Sequence, residues 1–360
     1  MNHDWTDFRH STADLFQSEV LWAILQPVAD THAPSQTVTY TRAAVIADLL
    51  RQHAAGPYRF TKNYRRTGNG LLQLGASPPR LIFSAHADEF SYLIGAGNKN
   101  DGYPLQPFCS DRTTIDYQAV ALRYNIASDR LEPVARGLLK RIGADSSPVF
   151  FPAEGRVSPG DRIVYHHPLQ KEGDTLYGSL DNAGSVAACL LAALALLKLA
   201  PDTPVAFAFT DEEEGPPALN ASFGRGARRL ARQPELPPLV VNVDGHNISD
   251  WCQLSKGASF AQASSGARGA VTPPRLYVTF QALAADMAKA GILLQENMGY
   301  VSRSDDVAWM EVTPNILLLG FPLDNPHFNQ APPSASLEDL LHLAQTVATT
   351  ALAFSREQPA

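Results

Sequence analysis

Cysteine is scarce in this 360-residue chain: Cys109, Cys189 and Cys252 are far apart and odd in number. Such a set supplies neither a disulfide framework nor a C-x-x-C metal knuckle, and it suits a reducing compartment. Charge is thin as well, at 18% against the roughly 25% usual for soluble domains. Its balance is acidic, with 29 Lys and Arg against 36 Asp and Glu, a net of −7. Nucleic-acid binding needs a basic footprint, so phosphate backbones are excluded as the main partner. Long apolar runs are missing too: the longest, 186–197, stops at Lys198, short of the roughly 18 residues a membrane span requires. It predicts a buried helix instead. The start, Met1 to Asp7, carries acid where a secretory signal carries base and an apolar run, so a cytoplasmic location is expected.

What is present is a globular composition, 45% hydrophobic, with 24 Gly and 27 Pro scattered without a period. That excludes collagen-like and low-complexity chains. Short apolar runs at 80–85, 204–209, 238–243 and 316–321 alternate with helix-length segments, the pattern of an α/β domain on a mainly parallel sheet. Helices are predicted over 183–199, around an Arg-rich turn up to Leu230, and over 276–290 and 337–354. The last opens on Ser336 with Asp339 three residues on, a variant of the capping box. Between 97 and 164 turn residues and extended stretches replace helical periodicity, which reads as a small β-rich insertion. The expected division is therefore 1–96 with 165–360 as one domain, and 97–164 as the insert.

The polar residues at the carboxyl end of each run are the informative feature. The first run leads into His86-Ala87-Asp88-Glu89, the second into Thr210-Asp211-Glu212-Glu213-Glu214-Gly215. The third leads into Asp244-Gly245-His246, and the fourth reaches Asp324-Asn325-Pro326-His327. Ligands of open α/β sheets bind beyond the carboxyl ends of the strands, so these loops should converge. A fifth acidic segment, Leu180-Asp181-Asn182, opens the apolar helix. Singly each has a bland reading: a surface His-x-Asp pair, a solvated helix start, an N-cap at Asp181. Jointly they make a donor set for two divalent cations, with one bridging carboxylate, an imidazole for each ion, and a neighbouring carboxylate left over as proton acceptor. Asp88 is expected to accept the second ring N–H of His86. His166-His167 reads as a structural pair, because neighbours in an extended segment point apart. Arg225, Arg228, Arg229 and Arg232 read as a solvated or subunit-facing stripe.

These motifs resemble the tetrahedral and glutamyl aminopeptidase family of di-metal aminopeptidases, some of whose members are labelled endoglucanases. The likeness runs from about Gly68-Asn69-Gly70-Leu71 to the C-terminal helix. It rests on His86-Ala87-Asp88-Glu89-Phe90, Gly160-Asp161 with Leu180-Asp181-Asn182, and the Glu-Glu-x-Gly of Glu212 to Gly215. The resemblance implies His86, Asp181, Glu213, Asp244 and His327 as ligands of two ions, Zn²⁺ or Co²⁺. It makes Asp181 the bridge and Glu212 the general base. It further implies a mainly parallel sheet flanked by helices, with a β-barrel-like dimerisation insert, and dimers that assemble further. The chain departs from the family at Ala183, where an Arg is usual, and after His327, where a nearby Glu is usual.

The function expected is thus a metal-dependent aminopeptidase acting on peptides as a homo-oligomer, without nucleic-acid or membrane partners. The alternatives are an amidohydrolase of small N-acyl metabolites, a glycosidase using paired carboxylates, and a catalytically silent structural homologue.

Overall fold

The computed structural model describes residues 5–97, 102–109, 111, 113–143, 146–215, 224–234, 237 and 239–356. The four apolar runs form the centre of an eight-stranded sheet. Val205–Thr210, Leu81–His86, Leu239–Asn247 and Ile316–Leu323 lie side by side and parallel. Pro238, the expected start of the third, lies outside the described residues. All residues of these strands are buried except Asn247. That is why they read as continuous rather than alternating runs: helices cover both faces of a parallel sheet. Antiparallel neighbours make the sheet mixed, with Gly70–Leu74 and then Tyr58–Thr61 on one side and Ala258–Ala261 on the other.

Helix Ala183–Leu199 is buried from Ala183 to Leu197 and packs against helices Ser18–Ala29 and Leu337–Arg356. An apolar surface all round leaves a helix no stable place but the interior. At the start of Leu337–Arg356 the Ser336 hydroxyl accepts the Asp339 N–H at 3.1 Å, the N-cap half of a capping box. The Asp339 carboxylate does not close the box. It accepts the N–H groups of Ser255 at 2.7 Å and Gly257 at 2.6 Å, fastening the helix to a neighbouring loop.

A second body of structure is a closed antiparallel barrel of Tyr92–Ile94, Tyr103–Pro107, Tyr117–Asn125, Arg130–Ile142, Ser147–Gly155 and Arg162–Tyr165. Closure leaves no strand edge unpaired. Its core gathers Tyr92, Leu139, Phe150, Ile163 and Tyr165, and it also takes in Phe328 from the loop after Ile316–Leu323. The fold is therefore the expected mainly parallel α/β sheet flanked by helices, with a small barrel. The barrel grips the loop that carries His327.

Candidate metal centre

Parallel pairing sets Thr210 opposite His86, so the loops leaving these strands emerge together. Asp181 reaches the same point from the start of the buried helix. It is not an N-cap: Asn182 holds that position without a side-chain cap, and its amide donates to the Val243 carbonyl at 2.9 Å. This bond pins the Asp181 segment to the strand that carries Asp244. The Asp181 carboxylate then lies between two imidazoles, with Oδ1 3.3 Å from His86 Nε2 and Oδ2 3.4 Å from His327 Nε2. His86 Nε2 is also 3.5 Å from Asp244 Oδ1 and 4.0 Å from Glu213 Oε2. His327 Nε2 is 3.0 Å from Glu214 Oε1.

The three glutamates divide in a way the sequence did not reveal. Glu212 has φ +58°, in the left-handed region, which costs a non-glycine residue on the order of 1 kcal/mol. There its carboxylate meets Arg229 at 2.6 Å, and it is not among the groups placed beside the two imidazoles. Past this turn Glu213 lies on the His86 side and Glu214 on the His327 side. Glu-Glu-x-Gly reads onto Glu212 to Gly215 alone, because Pro216 follows Gly215, and that pattern does not mark Glu214; the backbone turn at Glu212 is what brings Glu214 beside His327.

Asp88 joins the first loop to this one. Its Oδ1 and Oδ2 accept the N–H groups of Glu213 and Glu214 at 3.2 and 3.1 Å, and Oδ2 accepts the Ser35 hydroxyl at 2.6 Å. His86 Nδ1 faces the Asp88 backbone oxygen at 3.2 Å, closer than Asp88 Oδ1 at 3.5 Å. Beneath the loop Arg42 is wholly buried, donating to the carbonyls of Val28, Thr31, Ala87 and Asp88 and meeting Glu89 at 3.5 Å. No sequence signal marked Arg42 or Ser35.

The electrostatics follow from burying carboxylates and imidazoles together. Burial alone would depress His86, but Asp244, Glu213 and Asp181 raise it well above an ordinary imidazole. Burial likewise opposes Glu214 and Asp181 at His327, and the carboxylates prevail. Burial pushes Glu213 well above the carboxyl range, opposed by His86 and reinforced by Glu214, Asp244 and Asp305. Glu214 is raised chiefly by burial. Asp181, despite burial, is lowered by its two histidines. Among the described residues the buried Glu214 carboxylate has no hydrogen-bond partner besides the His327 imidazole, and His86, Asp181 and Glu214 have donor atoms mutually within 4.8 Å. Buried carboxylates in excess over imidazoles are what divalent cations satisfy, and the donor types fit zinc or cobalt.

Other sequence candidates stand apart. The His246 ring stacks on Tyr300 at 4.0 Å and its Nδ1 meets the Ser259 hydroxyl at 2.7 Å; burial pushes its pKa down to about 3. His166 and His167 have their rings against His32 and Phe328 respectively. Of the arginine stripe, Arg228 pairs with Glu311 and Arg229 with Glu212.

Solved structures of similar shape include several named as aminopeptidases or peptidases, and one named an endoglucanase. The aminopeptidase APDkam598 from the archaeon Desulfurococcus kamchatkensis superposes with a TM-score of 0.74 at 15% identity, over 95% of this chain and 98% of that one. The TET aminopeptidase from a marine sediment archaeon, Thaumarchaeota archaeon SCGC AB-539-E09, gives 0.74 at 15% identity, over 93% and 99%. The Pyrococcus horikoshii TET1 peptidase, which can assemble into a tetrahedron or a large octahedral shell, gives 0.69 at 19% identity, over 92% and 99%. At such identities the likeness establishes the fold. No curated protein sequence matches the chain. Peptidase family M20/M25/M40 matches residues 162–353, which include Asp181, the three glutamates, Asp244 and His327. Spanning more than half of the sequence, that match makes this chain a member of peptidase family M20/M25/M40.

Proposed function

We propose that the chain is a metal-dependent aminopeptidase that removes N-terminal residues from peptides. The observation that carries the reading is the Asp181 carboxylate spread between His86 Nε2 and His327 Nε2, a bridge between two cation positions. One position is assigned to His86, Asp181 and Asp244, the other to Asp181, Glu214 and His327. When bound, a pair of divalent cations, Zn²⁺ or Co²⁺, supplies Lewis acidity and lowers the pKa of water. Glu213 is the general base in this reading. Buried, raised in pKa and beside the His86 position, it takes the proton of the attacking water on its carboxylate. It then returns that proton to the leaving amine nitrogen as the peptide bond breaks. The Glu212 carboxylate, held by Arg229, serves the loop's shape. Asp88 is a positioning residue, holding the N–H groups of Glu213 and Glu214 while its backbone oxygen faces His86 Nδ1.

The insert expected over 97–164, which supplies most of the barrel's strands, is proposed as the contact between subunits of a homo-oligomer. Ile115, Tyr124, Ile126 and Ile142 stand exposed on it, and a subunit contact that covered them would bury apolar area. No helix among the described residues is long and apolar enough to cross a membrane; a cytoplasmic location is part of the proposal.

Mass spectrometry of a pool of free and N-acetylated peptides, incubated with protein and Co²⁺ or Zn²⁺, tests the reading. Stepwise, chelator-sensitive loss of N-terminal residues from the free peptides alone is expected. Glu213→Gln should lower turnover by about 10²–10⁴-fold with metal content intact, and Glu212→Gln by much less. Release of acyl groups from the blocked pool would favour the amidohydrolase, and an unchanged pool with metal bound the silent homologue.

A further inference from the structure

Facing the His327 half of the site is a side chain from the barrel that the proposed mechanism does not use. Cys109 Sγ, a Glu214 carboxylate oxygen and a His327 ring nitrogen all lie within 4.8 Å of one another. Donors on one tetrahedral zinc ion, bound at about 2.0–2.3 Å, lie roughly 3.5 Å from each other, so side-chain adjustments of about 1 Å or less bring the three onto one ion. The second observation is Glu214 itself. It is 1% exposed, and among the described residues its carboxylate has no hydrogen-bond partner besides the His327 imidazole, 3.0 Å from Oε1. A buried carboxylate with a single imidazole against it and a thiol close by is a donor set that a cation satisfies.

The thiol's place is set by packing. Cys109 has φ +65°, in the left-handed region, and the preceding residue is held on both sides. The Phe108 N–H donates to the Ser91 carbonyl at 2.7 Å, and the Arg162 guanidinium lies 4.3 Å from the Phe108 ring centre. The ring rests on Gly215, where an added Cβ would come within 2.2 Å of it. Only glycine after Glu214 lets the barrel turn close on the catalytic loop. Thr113, on the same side, places its hydroxyl 3.3 Å from the His327 carbonyl, to which it donates.

We infer that Cys109 supplies a thiolate ligand to the cation held by Glu214 and His327, making that position a His–Glu–Cys cluster selective for a thiophilic divalent ion such as zinc. The inference rests on the proposed two-ion site and adds that the two positions differ in kind. His86, Asp181 and Asp244 offer nitrogen and oxygen alone, whereas the His327 position adds sulfur, a soft donor that disfavours Mn²⁺ and Mg²⁺. On binding, the thiol releases its proton to solvent and the sulfur lone pair forms the bond to the ion.

The full-length protein, stripped by chelator and titrated with Co²⁺, provides the test. An intense near-ultraviolet sulfur-to-cobalt charge-transfer band is expected in the wild type. In Cys109→Ser it is expected to be absent while the visible d–d bands remain. Loss of a contact one shell out lowers metal affinity by about 10–100-fold, so Cys109→Ser should weaken zinc at one of the two positions by at least tenfold. Iodoacetamide mapping gives a readout independent of cobalt: Cys109 alkylates in the stripped protein and is protected in the loaded one, with buried Cys189 and Cys252 as internal references. Two bound Co²⁺ ions without the band, or alkylation indifferent to metal, would overturn the inference and leave the two-ion reading standing. A chain that binds no divalent ion would overturn both.

Discussion

The two imidazoles of the site belong to different kinds of structure. His86 ends a central strand and its side chain is 1% exposed; His327 sits in a loop and its side chain is 21% exposed. Behind His86 stand Asp88, Ser35 and the buried Arg42, a continuous polar frame inside the α/β layers. Behind His327 stand barrel residues, with Phe90 stacked on its ring at 5.2 Å and Phe328 sunk in the barrel core. Asn325, His327 and Phe328 all have positive φ, so that loop is held by its neighbours and not by regular pairing. The difference teaches that one half of the site is built by the sheet and the other by the meeting of sheet and barrel. Ion retention should differ accordingly.

Asp181→Ala tests what the halves share. Removing the carboxylate between both histidines should abolish binding of both ions and reduce peptide hydrolysis to background, read by metal analysis and turnover. Full metal occupancy in that variant would dismiss Asp181 as the bridge. His327→Ala should separate the halves, leaving one ion per chain and an unchanged fold, whereas His86→Ala should lose the more tightly held ion. Simultaneous loss of both ions from His327→Ala would erase the distinction. The frame behind His86 is probed by Arg42→Met, which leaves the buried Glu89 without its guanidinium. A destabilisation of about 3–5 kcal/mol, measured by denaturant unfolding, is expected, with a smaller effect if the frame is dispensable.

The smallest effect concerns the sheet-side scaffold and pH. Burial pushes Asp339 up to about 7, against the N–H groups of Gly257 and Ser255, which favour the ionised form. A carboxyl raised in the fold binds its proton more tightly there than in the unfolded chain, so protons favour the native state. That stabilisation is complete below about pH 4 and is lost as pH rises through about 7, by at most about 4 kcal/mol. Asp339→Asn should flatten the decline in unfolding free energy between about pH 4 and 7; an unchanged slope would assign the dependence elsewhere.

Much of this was readable in the residues. Runs such as 205–209 and 316–321 are apolar at every step because both faces of their strands are covered, and turn residues mark where they stop. The chemistry-bearing residues could be placed at strand ends, since that is where an α/β sheet leaves polar groups free to converge. What escaped was conformational. Glu-Glu-x-Gly does not mark Glu214, and the left-handed turn at Glu212 that brings it beside His327 has no sequence marker in a non-glycine residue. Arg42 escaped because a buried arginine looks like any other until its carbonyl partners are in place. Closure of the barrel came from the family likeness, as strand pairing across such distances leaves little trace in composition.

Helix Ala183–Leu199 places a further constraint on the chain's history. From Ala183 to Leu197 it presents no exposed face, so substitution there cannot follow the usual rule of sparing every third or fourth position. A charged side chain is unwelcome on all sides, and a bulkier one displaces a neighbouring helix or strand. Tolerated changes along this helix are therefore limited to apolar exchanges of similar volume, and the segment that delivers Asp181 to the site shares that constraint.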